Sequence, residues 1–278
     1  MSEAKLRRIW LCADDYGMSP AIDAAICDLI ARGRINATSV MVASPNFSQD
    51  QATTLLAAVA SHAVIGLHVT LTAPFRPLSA GFAPLRAGAF LPLEAMAGRA
   101  LIRSLTPALL NAEIAAQFSA FRATFGRAPD FVDGHQHIHV FPQIREAALR
   151  ALKQNAPQAW LRQCGRPVAA RKGLADPKGL ILDALSGKLR KLAAQYGVRT
   201  NAAFAGTYAF QANADYVKLF PGFLEALPDG GLVMCHPGKV DAELRRLDPV
   251  TDLREREYAY FLGESFPRLL AARGYALA

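Results

Sequence analysis

The chain has 278 residues, 52% hydrophobic and 19% charged, enough to bury a sizeable core in one large α/β domain or two small ones. No apolar run is long and charge-free enough to span a bilayer, which argues against stable membrane insertion. The formal net charge is +8, yet Lys and Arg are scattered, with modest clusters at Lys5–Arg8, Arg171-Lys172 and Lys188–Lys191 and no interleaved aromatics. That pattern speaks against a nucleic-acid partner and for a solvated basic surface, compatible with anionic substrates or a membrane face.

The four cysteines, Cys12, Cys27, Cys164 and Cys235, have no CxxC spacing and sit in apolar or strand-like contexts. Reduced, buried thiols in a cytoplasmic protein are expected, not a structural zinc site. The basic start, Met1 to Arg8, leads straight into Ile9-Trp10-Leu11 without the h-region and cleavage site of a signal peptide.

In chain order, Arg7 to Ala13 reads as a buried parallel strand ending abruptly in Asp14-Asp15-Tyr16-Gly17. Ser19-Pro20 supplies an N-cap and first-turn proline for a helix that stops at Gly33. Thr38–Ala43 predicts a second strand, Gln51–His62 a helix and Val64–Thr72 a third strand. This β-α-β-α-β order with short connections argues for parallel strands and right-handed crossovers. From Ala73 to about Leu105 the chain is rich in Pro, Gly and Ala without a sustained period, as in a lid-like insertion. Its Phe75, Phe82 and Phe90 suit either an apolar part of a substrate or core packing.

A helix over Pro107–Phe125 leads to a strand that should leave the sheet near Gly134. Then follow a helix at Gln143–Asn155, a strand at Ala159–Arg162 and a helix at Lys178–Tyr196. A short strand around Asn201–Phe204, a helix at Asp215–Leu227 and a strand at Gly231–Cys235 come next. One last helix spans Arg254–Arg273, with Tyr275–Ala278 as a closing strand. Seven or eight strands alternating with helices predict a single irregular (β/α) barrel of the TIM type. An open doubly wound sheet is the alternative, but the first turn lacks the Gly-rich nucleotide fingerprint.

Asp14-Asp15, His68, Asp133 with His135, Arg162 and His236 each fall at or near the C-terminal end of a different predicted strand. In a barrel those ends share one face, so residues far apart in sequence can converge there. Of the Asp pair, one carboxylate can bind a divalent cation while the other takes a proton; capping the next helix is the plainer alternative. His68 alone would read as a core histidine, but a second histidine and an aspartate at matching strand ends give it a ligand reading. His236, ahead of Pro-Gly, is either a general acid or a turn residue. Asp133-Gly134-His135-Gln136-His137-Ile138-His139 holds three of the six histidines, of which only some should converge on one site.

Ala13-Asp14-Asp15-Tyr16-Gly17, Gly66-Leu67-His68 followed by Leu71-Thr72, the Asp133–His139 stretch and His236-Pro237-Gly238 occur in the order seen in the YdjC (ChbG/HpnK) family, which the chain resembles over essentially its whole length. These are metal-dependent carbohydrate deacetylases on an irregular (β/α) barrel. The resemblance implies hydrolysis of the N-acetyl group of an amino sugar, with release of acetate, and a bound divalent ion, Mg2+ or Zn2+. It implies Asp15, His68 and His135 as metal ligands, Asp14 as general base toward the attacking water and His236 as acid to the departing amine. Arg162 would orient the base or contact substrate, and His137 and His139 would stand behind the ligands or face substrate. Tyr16 stands where many relatives have Phe. Chito-oligosaccharides, their phosphates and N-acetylglucosamine-bearing glycolipids such as hopanoids at a membrane surface are the substrate classes implied, and a homodimer is the implied assembly. The competing expectation is a metal-dependent phosphoesterase or other amidohydrolase on a similar barrel, whose two-metal forms need more carboxylates than these motifs supply.

Overall fold

The computed structural model describes residues 6–59, 62–171, 176–211 and 213–278. Lys5 and Lys172, members of two of the basic clusters, lie outside them. Five elements open the chain: β1 (Arg7–Tyr16), α1 (Pro20–Ala31), β2 (Ala37–Val40), α2 (Gln49–Val59) and β3 (Val64–Val69). Ser19 caps α1 as expected, its hydroxyl accepting from the Ile22 amide at 3.4 Å. Next come a small hairpin of β4 (Leu85–Arg86) and β5 (Ala89–Phe90), then α3 (Leu93–Leu101), α4 (Pro107–Phe125) and β6 (Phe131–Gly134). A 3-10 stretch at His135–Val140 leads to α5 (Ile144–Asn155), β7 (Trp160–Leu161), α6 (Pro177–Gln195) and β8 (Phe204–Ala205). The chain closes with α7 (Tyr216–Phe223), β9 (Gly231–Cys235), α8 (Ala242–Leu247), α9 (Asp252–Leu262), α10 (Ser265–Ala272) and β10 (Tyr275–Leu277).

The main sheet runs β7-β6-β3-β2-β1-β9-β8 and every pairing in it is parallel. β1 is long enough to pair with β10 through Arg7–Ile9 and with β2 beyond Cys12. Its residues from Leu11 onward are all buried, which is why the stretch ahead of Asp14 reads as an apolar run without alternation. The two sheet ends approach each other: Leu161 bridges in parallel to Thr200, and its amide donates to the Arg199 carbonyl at 2.9 Å. The sheet thus curls into an irregular (β/α) barrel, as the alternation of elements implied.

Several elements differ from expectation, among them the β4–β5 hairpin and α3 inside the segment 73–105, where the sequence predicts no regular element. The strand placed at Asn201–Phe204 starts only at Phe204, because Asn201 substitutes its side chain for a ladder partner. Its carboxamide accepts from the Gln163 amide at 2.8 Å and donates to the Gln163 carbonyl at 3.1 Å. The last helix is two, α9 and α10, broken at Gly263, whose extended backbone (ψ 151) ends the first. Before them comes α8, also unexpected, capped by Asp241, whose side chain accepts from the Leu244 amide at 2.7 Å.

The segment 73–105 is fastened to the barrel. Buried Glu113 of α4 accepts from the Ser79 amide and hydroxyl at 2.8 and 2.7 Å, and Gln117 binds the Thr70 backbone on both sides at 2.9 and 2.8 Å. Phe75, Phe82 and Phe90 are all buried, and Phe82 packs edge-on to Phe90 at 5.1 Å. All four cysteines are free thiols; three are buried and Cys27 is half-buried beside the Tyr16 hydroxyl. Tyr16 itself is buried, and its hydroxyl donates to the Gln51 carbonyl at 2.7 Å. No helix among the described residues is long and apolar enough to cross a membrane.

Candidate metal centre and active site

Successive residues of a strand point to opposite faces, so Asp14 and Asp15 should diverge. They do not, because the β1–β2 register shifts between Ala13 and Tyr16 and Asp15 takes a left-handed backbone (φ 72). A bulge of this kind re-aims a side chain at the rim of a barrel, and Asp is among the residues that tolerate that conformation best. Both carboxylates end up buried in one site.

Asp15, His68 and His135 meet there, each offering a ligand atom within 4.8 Å of the others. Asp15 Oδ1 lies 3.0 Å from His135 Nδ1 and 3.4 Å from His68 Nε2. His68 is held from behind: its Nδ1 is 2.6 Å from Asp133 Oδ1 and 2.9 Å from the Ser39 hydroxyl. A carboxylate on one ring nitrogen leaves the other aimed at the centre and raises its basicity, the usual support for a ligating histidine. Burial disfavours charge on His68, but Asp133 and Asp15 outweigh it and carry its pKa up to about 10. Phe75 packs edge-on against His135 at 5.7 Å, closing the apolar side of the site.

Asp14 is gripped by Arg162, which donates through Nη1 to Oδ2 at 2.7 Å and through Nη2 to Oδ1 at 2.6 Å. Nη2 also donates to Cys12 Sγ at 2.9 Å and forms an ion pair with Asp133 Oδ2 at 2.6 Å. Burial pushes the Asp14 carboxyl up, but the paired guanidinium outweighs it and holds the group below the ordinary range, hence ionised at neutral pH. Arg162 is 0% exposed, and both of its terminal nitrogens are directed at the Asp14 carboxylate. Cys12, Asp14 and Asp133 also lie close enough to suggest a cation site, but this guanidinium already occupies it. Arg162→Met should leave two carboxylates buried without their counter-charge and cost about 3–5 kcal/mol, read as a lowered urea midpoint. An unchanged midpoint would mean the cluster is more hydrated than its geometry indicates.

The remaining histidines separate. His139 is buried behind the site, its Nε2 2.9 Å from the Arg162 carbonyl, and burial lowers its pKa to about 3. His137, in a left-handed turn with Gln136 (φ 57 and 53), packs edge-on to Phe204 at 5.4 Å. Those two left-handed residues turn the chain out of the sheet after Gly134, so alternate histidines do not share a face. His236 follows β9; burial and Arg254 push its pKa down against the pull of Asp15 and Asp14, so the ring is neutral at pH 7.

Two functional neighbours, both on α9, are not readable from the sequence. Arg254 donates to Asp15 Oδ2 at 2.7 Å and to Asp248 Oδ2 at 2.6 Å, which commits the outer Asp15 oxygen and leaves Oδ1 for the centre. Glu257 accepts from the His236 amide at 2.5 Å and from the Tyr208 hydroxyl at 2.6 Å, and burial raises its pKa to about 7. The only signal they leave is a pair of charged residues three apart on a helix face. Asp133 stands out at its strand end but carries no role by sequence alone; it orients His68 and braces Arg162.

The family model for YdjC-like proteins matches residues 8–272. The chain belongs to the YdjC-like family. Among its relatives, the human carbohydrate deacetylase is 27% identical over 253 residues, covering 86% of this chain and 76% of that protein. A chitooligosaccharide deacetylase of Yersinia pestis bv. Antiqua (strain Angola) is 26% identical over 277 residues, covering 95% and 94%. The fold of this YdjC-like chain is also seen in a crystal structure from Enterococcus faecalis V583, described as a candidate cellobiose-phosphate cleavage protein. It superposes with a TM-score of 0.75 at 21% identity, covering 99% of this chain and 97% of that one.

Proposed function

We infer that this YdjC-like chain is a metal-dependent deacetylase that hydrolyses the N-acetyl group of an N-acetylglucosamine-containing carbohydrate. The observation that carries this reading is the Asp15–His68–His135 cluster with an arginine-clamped Asp14 next to it in sequence. Two imidazole nitrogens and one carboxylate oxygen suit Zn2+ and accommodate Mg2+, and three protein donors leave positions for water and substrate. His68, whose second nitrogen is taken by Asp133, fits that role. The activity named for the human and Yersinia relatives supports the substrate class.

When bound, a divalent ion at this cluster supplies Lewis-acid polarisation of the acetamide carbonyl and favours ionisation of water. Asp14 takes a proton from the attacking water at a carboxylate oxygen. Arg162 fixes the plane of that carboxylate and keeps it ionised beforehand. His236 is neutral in the resting site, so it delivers a proton to the departing amine only after receiving one, with Asp14 as the available source. Neutral His139 keeps its bond to the Arg162 carbonyl throughout.

A cytoplasmic location goes with this reading and is supported by four free thiols. Free or phosphorylated chito-oligosaccharides and N-acetylglucosaminyl lipids all carry the acetamide the site requires. The two-metal phosphoesterase alternative is disfavoured because the second acidic cluster holds Arg162. The test is acetate release from N,N′-diacetylchitobiose and from an N-acetylglucosaminyl lipid, each with a chelator control. Chelator-sensitive acetate from either is expected, and the faster substrate identifies the class. Phosphate release from phosphorylated sugars without any acetate would reverse the assignment.

A further inference from the structure

Next to the candidate proton donor the molecule carries an exposed aromatic ring held in place from below. Phe210 is 39% exposed, and its ring stands edge-on to His236 with centroids 5.4 Å apart. It also packs on Tyr208 at 4.5 Å. The strand-to-loop segment that carries both residues is fixed at two points. Gly206 (φ +103) lies so close to β9 that a Cβ there would sit 2.1 Å from the Met234 carbonyl oxygen, an approach only glycine permits. Two residues on, the Tyr208 hydroxyl donates to Glu257, the same buried carboxylate that accepts the His236 amide at 2.5 Å. Glu257 therefore ties the Tyr208 side chain to the backbone of His236. Phe210 thus follows a segment tied down by Gly206 and by the Tyr208–Glu257–His236 hydrogen bonds, and its ring meets His236 and Tyr208.

An exposed phenyl ring costs apolar surface in water, and here it stands beside His236 at the edge of the site. A pyranose ring is apolar on the faces that carry its C–H groups, while its hydroxyls point outward. A rigid aromatic face receives such a ring with little entropy to lose. We propose that Phe210 is a specificity-determining residue that seats the C–H face of a pyranose ring beside His236, so that the site selects N-acetylated sugars over small N-acyl amines. The proposal rests on reading the site as an N-acetyl-sugar deacetylase. Tyr208 packs on Phe210 and is bonded to Glu257, which separately holds the His236 backbone.

The test compares wild type, Phe210→Ala and Phe210→Trp on N,N′-diacetylchitobiose and on N-acetylethanolamine, a small acetamide without a ring. For Phe210→Ala the expected result is a KM for the disaccharide raised about tenfold, with kcat within about twofold. Phe210→Trp should restore the KM, and N-acetylethanolamine turnover should not change. Equal losses on both substrates, or an unchanged KM, would overturn the proposal while leaving the deacetylase reading intact. Should Phe210→Ala fail to fold, Phe210→Leu keeps apolar bulk without a flat face and should show the same KM rise. If wild type releases no acetate, calorimetric titration with the disaccharide separates the two ideas. Weaker binding by the variant would keep the sugar contact and reject the reaction, and equal binding or none would reject the contact as well.

Discussion

Asp14→Asn should lower acetate release by about a hundred- to ten-thousand-fold while the bound metal stays at the wild-type level. Asparagine keeps the size of the side chain and can still accept from Arg162, but it carries no charge and cannot take a proton. Asp14 is not a member of the Asp15–His68–His135 cluster, so its replacement leaves those donors in place. Arg162 directs two hydrogens at the carboxylate, at 2.7 and 2.6 Å, and these lower its affinity for a proton in the resting state. The gain is orientation and a fully ionised base at neutral pH. The substitution would also give Arg162 a weaker partner, so a modest fall in thermal midpoint should accompany the loss, with Asp133 still paired. Wild-type deacetylation by Asp14→Asn would show the base to be another group.

His68→Ala should strip the metal and abolish activity together, with affinity down by more than the roughly 10- to 100-fold typical of losing a group that merely supports a ligand. His68 is committed on one nitrogen to Asp133 at 2.6 Å and to Ser39 at 2.9 Å, so its other nitrogen is aimed without freedom to drift. His135→Ala should behave alike. His139→Ala is the informative control: its Nε2 bonds the Arg162 carbonyl at 2.9 Å, so metal content should survive even if stability falls. Metal content per chain, measured after desalting, distinguishes the three variants. Full retention by His68→Ala and His135→Ala would dismantle the ligand set.

Much of this arrangement is legible because parallel strands impose a rule on sequence. Their C-terminal ends share one face, so Asp14, Asp15, His68, His135, Arg162 and His236 can be gathered from strand ends alone. The exit of the chain near Gly134 is readable for a similar reason, since four polar residues cannot occupy one buried strand face without partners. What stays hidden depends on side chains crossing between elements. Arg254 and Glu257 look like solvated charges on a helix, and nothing in their spacing shows that one holds Asp15 and the other the His236 turn. The same limit hides Asn201, which replaces a strand partner with its own amide, and the break at Gly263 that separates α9 from α10. Asp133 is visible but ambiguous, because orienting a histidine and bracing an arginine leave no local pattern.

The most direct single measurement is acetate release plotted against metal occupancy as the chelated protein is refilled with Zn2+ or Mg2+. Release from N,N′-diacetylchitobiose should rise in proportion to occupancy and saturate at one ion per chain. Saturation at two ions, or acetate release that ignores occupancy, would contradict a deacetylase built on Asp15, His68 and His135.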